Sequence, residues 1–69
     1  MLIIAQDGLS LIYLNNIIST NLADNELVAS DIADGETVIA NVEEVDDARK
    51  IINAIAQAYA YDEKVIRIK

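Results

Sequence analysis

Residues 24–42 read DNELVASDIADGETVIANV, and this stretch decides the fold. It contains two dipeptides, Asp24-Asn25 and Asp34-Gly35, that tolerate the positive φ angles of tight hairpin turns. Each dipeptide is followed by a run rich in β-branched and alternating residues, at 26–33 and 36–42, which is typical of β-strands. The stretch therefore predicts two antiparallel strands joined by a tight turn.

Alternation gives each of these two strands one face that is more apolar than the other, because successive side chains point to opposite faces of a sheet. The cleaner apolar stripe comprises Leu27, Ala29, Asp31 and Ala33 on the first strand and Val38, Ala40 and Val42 on the second. Only Asp31 interrupts this stripe, which we expect to face the core.

The same turn rhythm extends toward the N-terminus. Asp7-Gly8 and Asn15-Asn16 continue the series of turn dipeptides, so that the four corners lie 8, 9 and 10 residues apart. They bound further apolar runs at 2–6, 9–14 and 17–23, and the whole pattern predicts an antiparallel meander of about four to five short strands. The first two runs are apolar on both faces, so they form either separate strands or one small hairpin or irregular arm.

The hydrophobic period changes after the meander and indicates a helix over residues 45–61. Five residues spaced 3, 4, 3 and 4 apart define one helical face: Val45, Ala48, Ile52, Ile55 and Tyr59. Asp46 and Asp47 occupy the first turn, where acidic side chains are favourable, and either Glu44 or Asp46 is expected to cap the helix. The last residues, 64–69, alternate in part and predict a short C-terminal strand.

In that last strand Ile66 and Ile68 are expected to point inward. The complete pattern predicts a single α+β domain over residues 1–69. It consists of an antiparallel β-meander, one amphipathic helix packed on the sheet and a short C-terminal strand.

The predicted helix is apolar over more than one stripe. Ile51, Ala54 and Ala58 form a row beside the main face, and Tyr61 lies near its end. These four residues form either a second contact surface for a protein partner or a flank on which small alanines are simply tolerated. Tyr59 continues the main stripe and is expected in the core, whereas Tyr61 is the better surface residue.

Charge is distributed very unevenly along the chain. The net charge is −7, with ten acidic and no basic residues in 1–48, whereas 49–69 contain all five Lys and Arg residues. A chain of this kind is a poor candidate for binding nucleic acid or an anionic membrane, and its charged partners are expected to be basic. Without a signal-peptide pattern or a long apolar run, the sequence predicts a cytoplasmic protein.

The residue types that most catalytic and metal sites require are missing. The chain has no Cys and no His, so disulfides, zinc or haem sites and His-activated nucleophiles are not expected. Lys50 or Lys64 could act as a base only if burial lowered its pKa. The sequence therefore predicts a non-enzymatic protein without a cofactor, a bound metal or an evident small-molecule substrate.

Two acidic segments superficially suggest a cation site. Glu43, Glu44, Asp46 and Asp47 could offer oxygen ligands, but their place at a helix start explains them more simply. Residues 31–36 fail as a calcium loop, because Ser30 and Ile32 would stand at the first and third ligand positions.

The first eight residues, MLIIAQDG, resemble the start of a group of small uncharacterised proteins from Gram-positive bacteria and their phages. Those proteins begin with a Met-x-Ile-Ile-x-Gln-Asp-Gly-like motif and continue with short strands and a helix that follows an acidic pair, as Asp46-Asp47 does here. The resemblance implies a phage or prophage context and supplies no catalytic residues. In this chain Asp7-Gly8 is interpreted as a corner, since Gly8 gives the backbone the freedom a turn requires.

Two functional hypotheses remain open from the sequence. The first is a protein–protein interaction module that associates with itself as a homo-oligomer such as a homodimer, because a short aliphatic chain needs additional burial and a meander has edges that can pair. The second is an acidic inhibitor that mimics nucleic acid and occupies a basic groove of a DNA-binding protein. The second requires carboxylates that line one face.

Overall fold

The computed structural model describes all 69 residues and contains six strands and one helix. In chain order these are β1 (Leu2–Ile4), β2 (Leu11–Tyr13), β3 (Ile17–Ala23), β4 (Glu26–Asp31), β5 (Glu36–Asn41), α1 (Val45–Ala60) and β6 (Val65–Arg67). The predicted α+β fold, with a packed helix and a C-terminal strand, is confirmed. The two N-terminal runs form separate strands, which the sequence left open.

The strands form two three-stranded sheets. One sheet has the order β3-β4-β5 with both pairs antiparallel, and it is the meander that the turn rhythm predicts. The other has the order β2-β1-β6, in which β1 pairs antiparallel with β2 and parallel with β6. The C-terminal strand thus returns to the N-terminal strand, with Leu2 opposite Val65.

Gln6 joins the two sheets just beyond the end of β1. Its backbone N–H donates to the carbonyl of Ile39 at 2.8 Å, and its side-chain Oε1 accepts the N–H of Asn41 at 2.9 Å. Both partners belong to β5, so a single glutamine occupies hydrogen-bonding positions along the outer edge of that strand.

A β-bulge in β5 changes which residues face the core. Leu27 pairs with Ala40 and Val28 with Val38, so Ile39 is an extra residue without a cross-strand partner. The inward stripe predicted for this strand is therefore wrong at Val38, which is partly exposed, and Ile39 is completely buried instead. A bulge shifts the alternation by one residue, and strict alternation cannot predict it.

The core is entirely apolar. It consists of Ile3, Ala5, Ile12, Leu27, Ala29, Ile39, Ala40, Val42, Ala48, Ile55 and Ile68. Helix α1 contributes Ala48 and Ile55, while Val45 and Tyr59 at the two ends of its predicted stripe are 53% and 64% exposed. The prediction of Tyr59 as a core residue is wrong, because only the middle of the helical face lies against the buried core. Ile66 is partly buried and Ile68 is buried, as predicted.

The four predicted corners differ in backbone geometry. Asp24 and Asn25 both have positive φ angles, 53° and 61°, as the tight turn of a hairpin requires. At Asp34-Gly35 the positive φ falls on Asp34, not on the glycine. Asn15-Asn16 is not a tight hairpin turn, because it belongs to a short 3₁₀ helix, Leu14–Asn16, with no positive φ.

Helix α1 ends one residue earlier than predicted, and its two ends are finished differently. Glu44 occupies the N-cap position without a side-chain hydrogen bond, so the predicted side-chain cap is absent. At the other end the N–H groups of Asp62 and Glu63 donate to the carbonyls of Tyr59 and Ala58, and Asp62 has a φ of 57°. This is a Schellman ending with aspartate where glycine is usual.

No helix of the protein has the length and apolar character that a membrane crossing requires.

Candidate functional site

The most apolar concavity is a groove between β3 and the C-terminal half of α1, which we call the β3–α1 groove. Its volume is about 370 Å³, and nine of its eleven lining residues are hydrophobic. The strand side provides Leu14, Ile17, Ile18, Ser19 and Thr20, the helix provides Ile52, Ile55, Ala56 and Tyr59, and Ile3 and Ile39 complete the lining.

The β3–α1 groove exists because β3 is the outermost strand of its sheet and the helix leaves part of it uncovered. Thr20 is exposed, although its cross-strand partner Ala29 is fully buried. At the rim, Ile18 and Tyr59 are 66% and 64% exposed. Two large apolar side chains of this kind beside one groove are typical of a contact surface.

The four residues predicted as a partner surface lie on the other side of the helix. Ala54, Ala58 and Tyr61 line a shallow groove with residues of β6, and Ile51 and Ala54 line a second one beside Ile68. We call this stretch the α1–β6 seam. Ile51 and Ala58 are half-buried there, while Ala54 and Tyr61 are exposed, Tyr61 by 74%. The structure therefore brings all four together along one side of α1.

The strand wall of the β3–α1 groove was not predicted as a site. A signal was present in the sequence, because residues 8–23 form a run of sixteen without a charged side chain in a chain of net charge −7. Alternation could not show it, since Ile18 is the extra residue of a bulge between Ile17 and Ser19. The exposure of Ile18 follows from that irregularity.

Acidic residues gather at opposite ends of the meander sheet. Asp24 and Glu26 lie at one end, where the N–H of Val42 donates to the carbonyl of Asn25 at 2.9 Å and brings the start of α1 close. Glu36 lies at the other end, opposite Ser30. An inhibitor that mimics nucleic acid needs its carboxylates on one face, and the structure divides them between the two ends of the sheet, with the larger group beside the start of α1.

The carboxylate of Asp7 organises the first corner. It accepts the N–H groups of Leu9 at 2.8 Å and Ser10 at 3.0 Å, and the hydroxyl of Ser10 at 3.1 Å. The hydrogen bonds from the two backbone N–H groups lower the pKa of Asp7 below its ordinary value of 3.8. Gly8 has a φ of 73°, so the corner interpretation of this dipeptide agrees with the observed geometry.

The other acidic clusters also make local contacts. Asp46 pairs with Arg49 at 3.1 Å and Asp47 with Lys50 at 3.8 Å along the exposed side of α1. The Asp31 carboxylate accepts the N–H groups of Ala33 and Gly35 within its own turn. No group of three or more acidic side chains is arranged to hold a metal ion.

Comparison with models of known protein families, with curated proteins and with solved structures finds no match for this chain. The resemblance of its first eight residues to small phage-type proteins therefore stays a prediction.

Proposed function

We propose that this chain is a small, acidic, non-enzymatic protein–protein interaction module that associates with itself and works in the cytoplasm in a phage or prophage setting. The β3–α1 groove carries the proposal. A single apolar groove beside an uncharged strand is the kind of surface at which protein partners dock. The phage setting rests only on the resemblance of the N-terminal octet.

The rim of the groove supports a protein partner rather than a small ligand. Tyr59 and Ile18 stand largely exposed beside an open groove, whereas small-molecule sites usually enclose most of the ligand surface. Tyrosine is favoured at the centre of protein interfaces because its ring is apolar and its hydroxyl can still bind water or a partner. The α1–β6 seam, with Tyr61, offers a second and flatter apolar surface.

Two matched substitutions test the proposal. Tyr59→Lys adds a charge beside the β3–α1 groove, while Tyr61→Lys makes the same change on a similarly exposed tyrosine two residues later. We expect Tyr59→Lys to weaken association by about tenfold or more, as the loss of a central aromatic contact does. Tyr61→Lys should have little effect. If Tyr61→Lys weakened association more than Tyr59→Lys, the contact surface would be the α1–β6 seam instead.

The measurement is sedimentation equilibrium of the purified chain together with affinity capture from a host lysate. A chain that stays monomeric at about 500 µM and also captures no protein would overturn the proposed function.

A further inference from the structure

The outer edge of β3 has no partner within the chain. β3 pairs only with β4, and no hydrogen bond in the structure joins the backbone of residues 19–23 to any other part of the protein. Every second residue of a strand directs its N–H and C=O away from the neighbouring strand, so this edge presents a row of unpaired donors and acceptors. Such a row is a template for another strand.

The other sheet edges are short or covered. Gln6 hydrogen-bonds along the outer edge of β5. β6 has three residues and is surrounded by Lys64, Arg67 and Lys69, which is a common protection against pairing. β2 also has only three residues. β3, with seven residues and no charged side chain, is the longest edge and lacks these protections.

We propose that β3 pairs edge to edge and antiparallel with β3 of a second copy of this chain, which joins the two meander sheets into one six-stranded sheet. This inference rests on the proposed function and names its partner and its surface. The pairing is centred on Asn21, so that Thr20 lies opposite Leu22 and Ser19 opposite Ala23 of the other copy. This register uses the regular stretch of β3 beyond the bulge at Ile18.

The distribution of charge allows two acidic copies to meet at β3, and it selects the antiparallel arrangement over the parallel one. Each copy carries a net charge of −7, and β3 is a seven-residue segment at which two copies meet without bringing carboxylates together. Centring the pair on Asn21 places the two Asp24 residues about 20 Å apart, at roughly 3.3 Å per residue. That separation exceeds the screening length of about 8 Å at physiological salt. Parallel pairing would place them only about 5 Å apart.

The neighbouring groove adds apolar contact to the strand pairing. Antiparallel pairing about a two-fold axis keeps both helices on the same face of the joined sheet, so the two β3–α1 grooves lie on either side of that axis. The exposed rim residues Ile18 and Tyr59 then border the second copy. This accounts for apolar side chains that stay 66% and 64% exposed in one copy.

The expected contact area between the two copies is small, so the dimer should be weak. Seven residues extend about 23 Å, and the smallest dimension of the molecule is 20 Å. An edge of this size buries about 900 Å² in total over both copies, which is below the range of stable specific interfaces and typical of weak, transient ones. We therefore expect a dissociation constant in the range of about 10 to 100 µM.

The test compares two triple lysine variants by sedimentation equilibrium from about 5 to 500 µM. Ser19→Lys, Asn21→Lys and Ala23→Lys together place like charges opposite one another in all three outward pairs. Leu9→Lys, Asn41→Lys and Gln57→Lys serve as the control, since these exposed residues share no groove with a residue of β3. Both variants change the net charge from −7 to −4 by the same three lysines.

The wild-type chain should follow a monomer–dimer equilibrium, and the β3 variant should dissociate about tenfold or more readily. The control variant should dimerise as well as the wild type or slightly better, because general repulsion between the acidic copies is reduced. Equal behaviour of the two variants would overturn edge pairing while the interaction module stands. A monomeric wild type that captures another protein would overturn both edge pairing and self-association, and would leave an interaction module with a different partner.

Amide exchange gives a readout that does not depend on variants. In the wild-type chain, every second amide of residues 19–23 faces outward and should exchange more slowly at about 500 µM than at about 5 µM, as pairing protects it. Exchange in β5 should not change. Concentration-independent exchange throughout β3 would overturn the proposal, and protection confined to the α1–β6 seam would assign dimerisation to that surface instead.

Discussion

The two outer strands of the meander sheet, β3 and β5, have the same irregularity with opposite results. Each contains one bulge in which isoleucine is the extra residue, Ile18 in β3 and Ile39 in β5. Ile39 is fully buried, whereas Ile18 is 66% exposed. Gln6 covers the edge of β5, and nothing in the chain covers the edge of β3. Ile39 packs in the core with Ile3 of β1 and Ile55 of α1, whereas Ile18 lies at the rim of the β3–α1 groove, so the elements that pack against a strand decide where its bulged side chain lies.

Truncating the two bulged isoleucines should give the largest difference between the strands. Ile39→Ala is expected to lower the free energy of unfolding by about 3 kcal/mol, because it leaves a cavity in the core. Ile18→Ala, the same change on an exposed side chain, should cost less than about 0.5 kcal/mol. Urea denaturation of the two variants measures both values. Equal losses would show that the two bulges are not packed as differently as described.

The turns that join β3 and β5 to β4 also differ, because only the β4–β5 turn contains a glycine. A substitution at that glycine, Gly35, tests what the turn requires. A Cβ atom at Gly35 would lie 2.7 Å from Oδ2 of Asp31, so Gly35→Ala should cost about 1 to 2 kcal/mol. In an Asp31→Ala background the same change should cost much less, because the carboxylate is gone. Thermal denaturation of all four combinations gives this cycle. If the stability losses of Gly35→Ala and Asp31→Ala simply added, contact between the new Cβ atom and the Asp31 carboxylate would not be the cause of the loss at Gly35.

Gln6 covers the outer edge of β5, whereas no residue of the chain covers the outer edge of β3 in the same way. Gln6→Ala removes the acceptor for the N–H of Asn41 and the longer, exposed hydrogen bond that Nε2 donates to the carbonyl of Lys69. It should lower the free energy of unfolding by about 1 kcal/mol or slightly more. Gln57→Ala is the control, because this exposed glutamine makes no side-chain hydrogen bond. If the two variants were equally stable in urea, the Gln6 side chain would not hold the β5 edge.

Asp7 supports the corner that carries Gln6 to β5, and its effect should depend on pH. Its pKa is lowered in the folded chain, so its stabilisation is complete above the unfolded value of 3.8 and is lost as the pH falls through the folded pKa. Asp7→Asn should therefore flatten the decline in melting temperature below pH 3.8. Asp34→Asn is the control, because the Asp34 carboxylate accepts no hydrogen bond in the structure and the change of residue type is the same.

Several parts of this structure follow from sequence alone because their signals are local. The Asp24-Asn25 turn, the helix period and the inward position of Leu27 and Ala29 depend on residues close in the chain, and these predictions are confirmed. The predicted stripe is wrong at Ala33, which lies in the turn beyond β4 and is exposed. The bulge at Ile39 was not predictable, since its inward direction depends on β1 and α1. The exposure of Tyr59 likewise depends on where the helix lies relative to the core.

The candidate site was predictable only in part for the same reason. Ile51, Ala54 and Ala58 share a helical face by spacing alone, so the sequence could group them with Tyr61. The β3–α1 groove joins a strand and a helix that are about thirty residues apart in the chain. Which strand is left at the edge of its sheet is a property of topology, and periodicity carries no information about it.

The parallel pairing of β1 with β6 has a consequence for the order of folding. Leu2 meets Val65, more than sixty residues away, whereas β3, β4 and β5 are joined by short turns. Bringing β1 and β6 together closes a much longer loop, and this costs more chain entropy before any stabilising contact between them has formed. We therefore expect the meander to assemble first in the transition state, and destabilising changes in β6 to accelerate unfolding while leaving the refolding rate nearly unchanged.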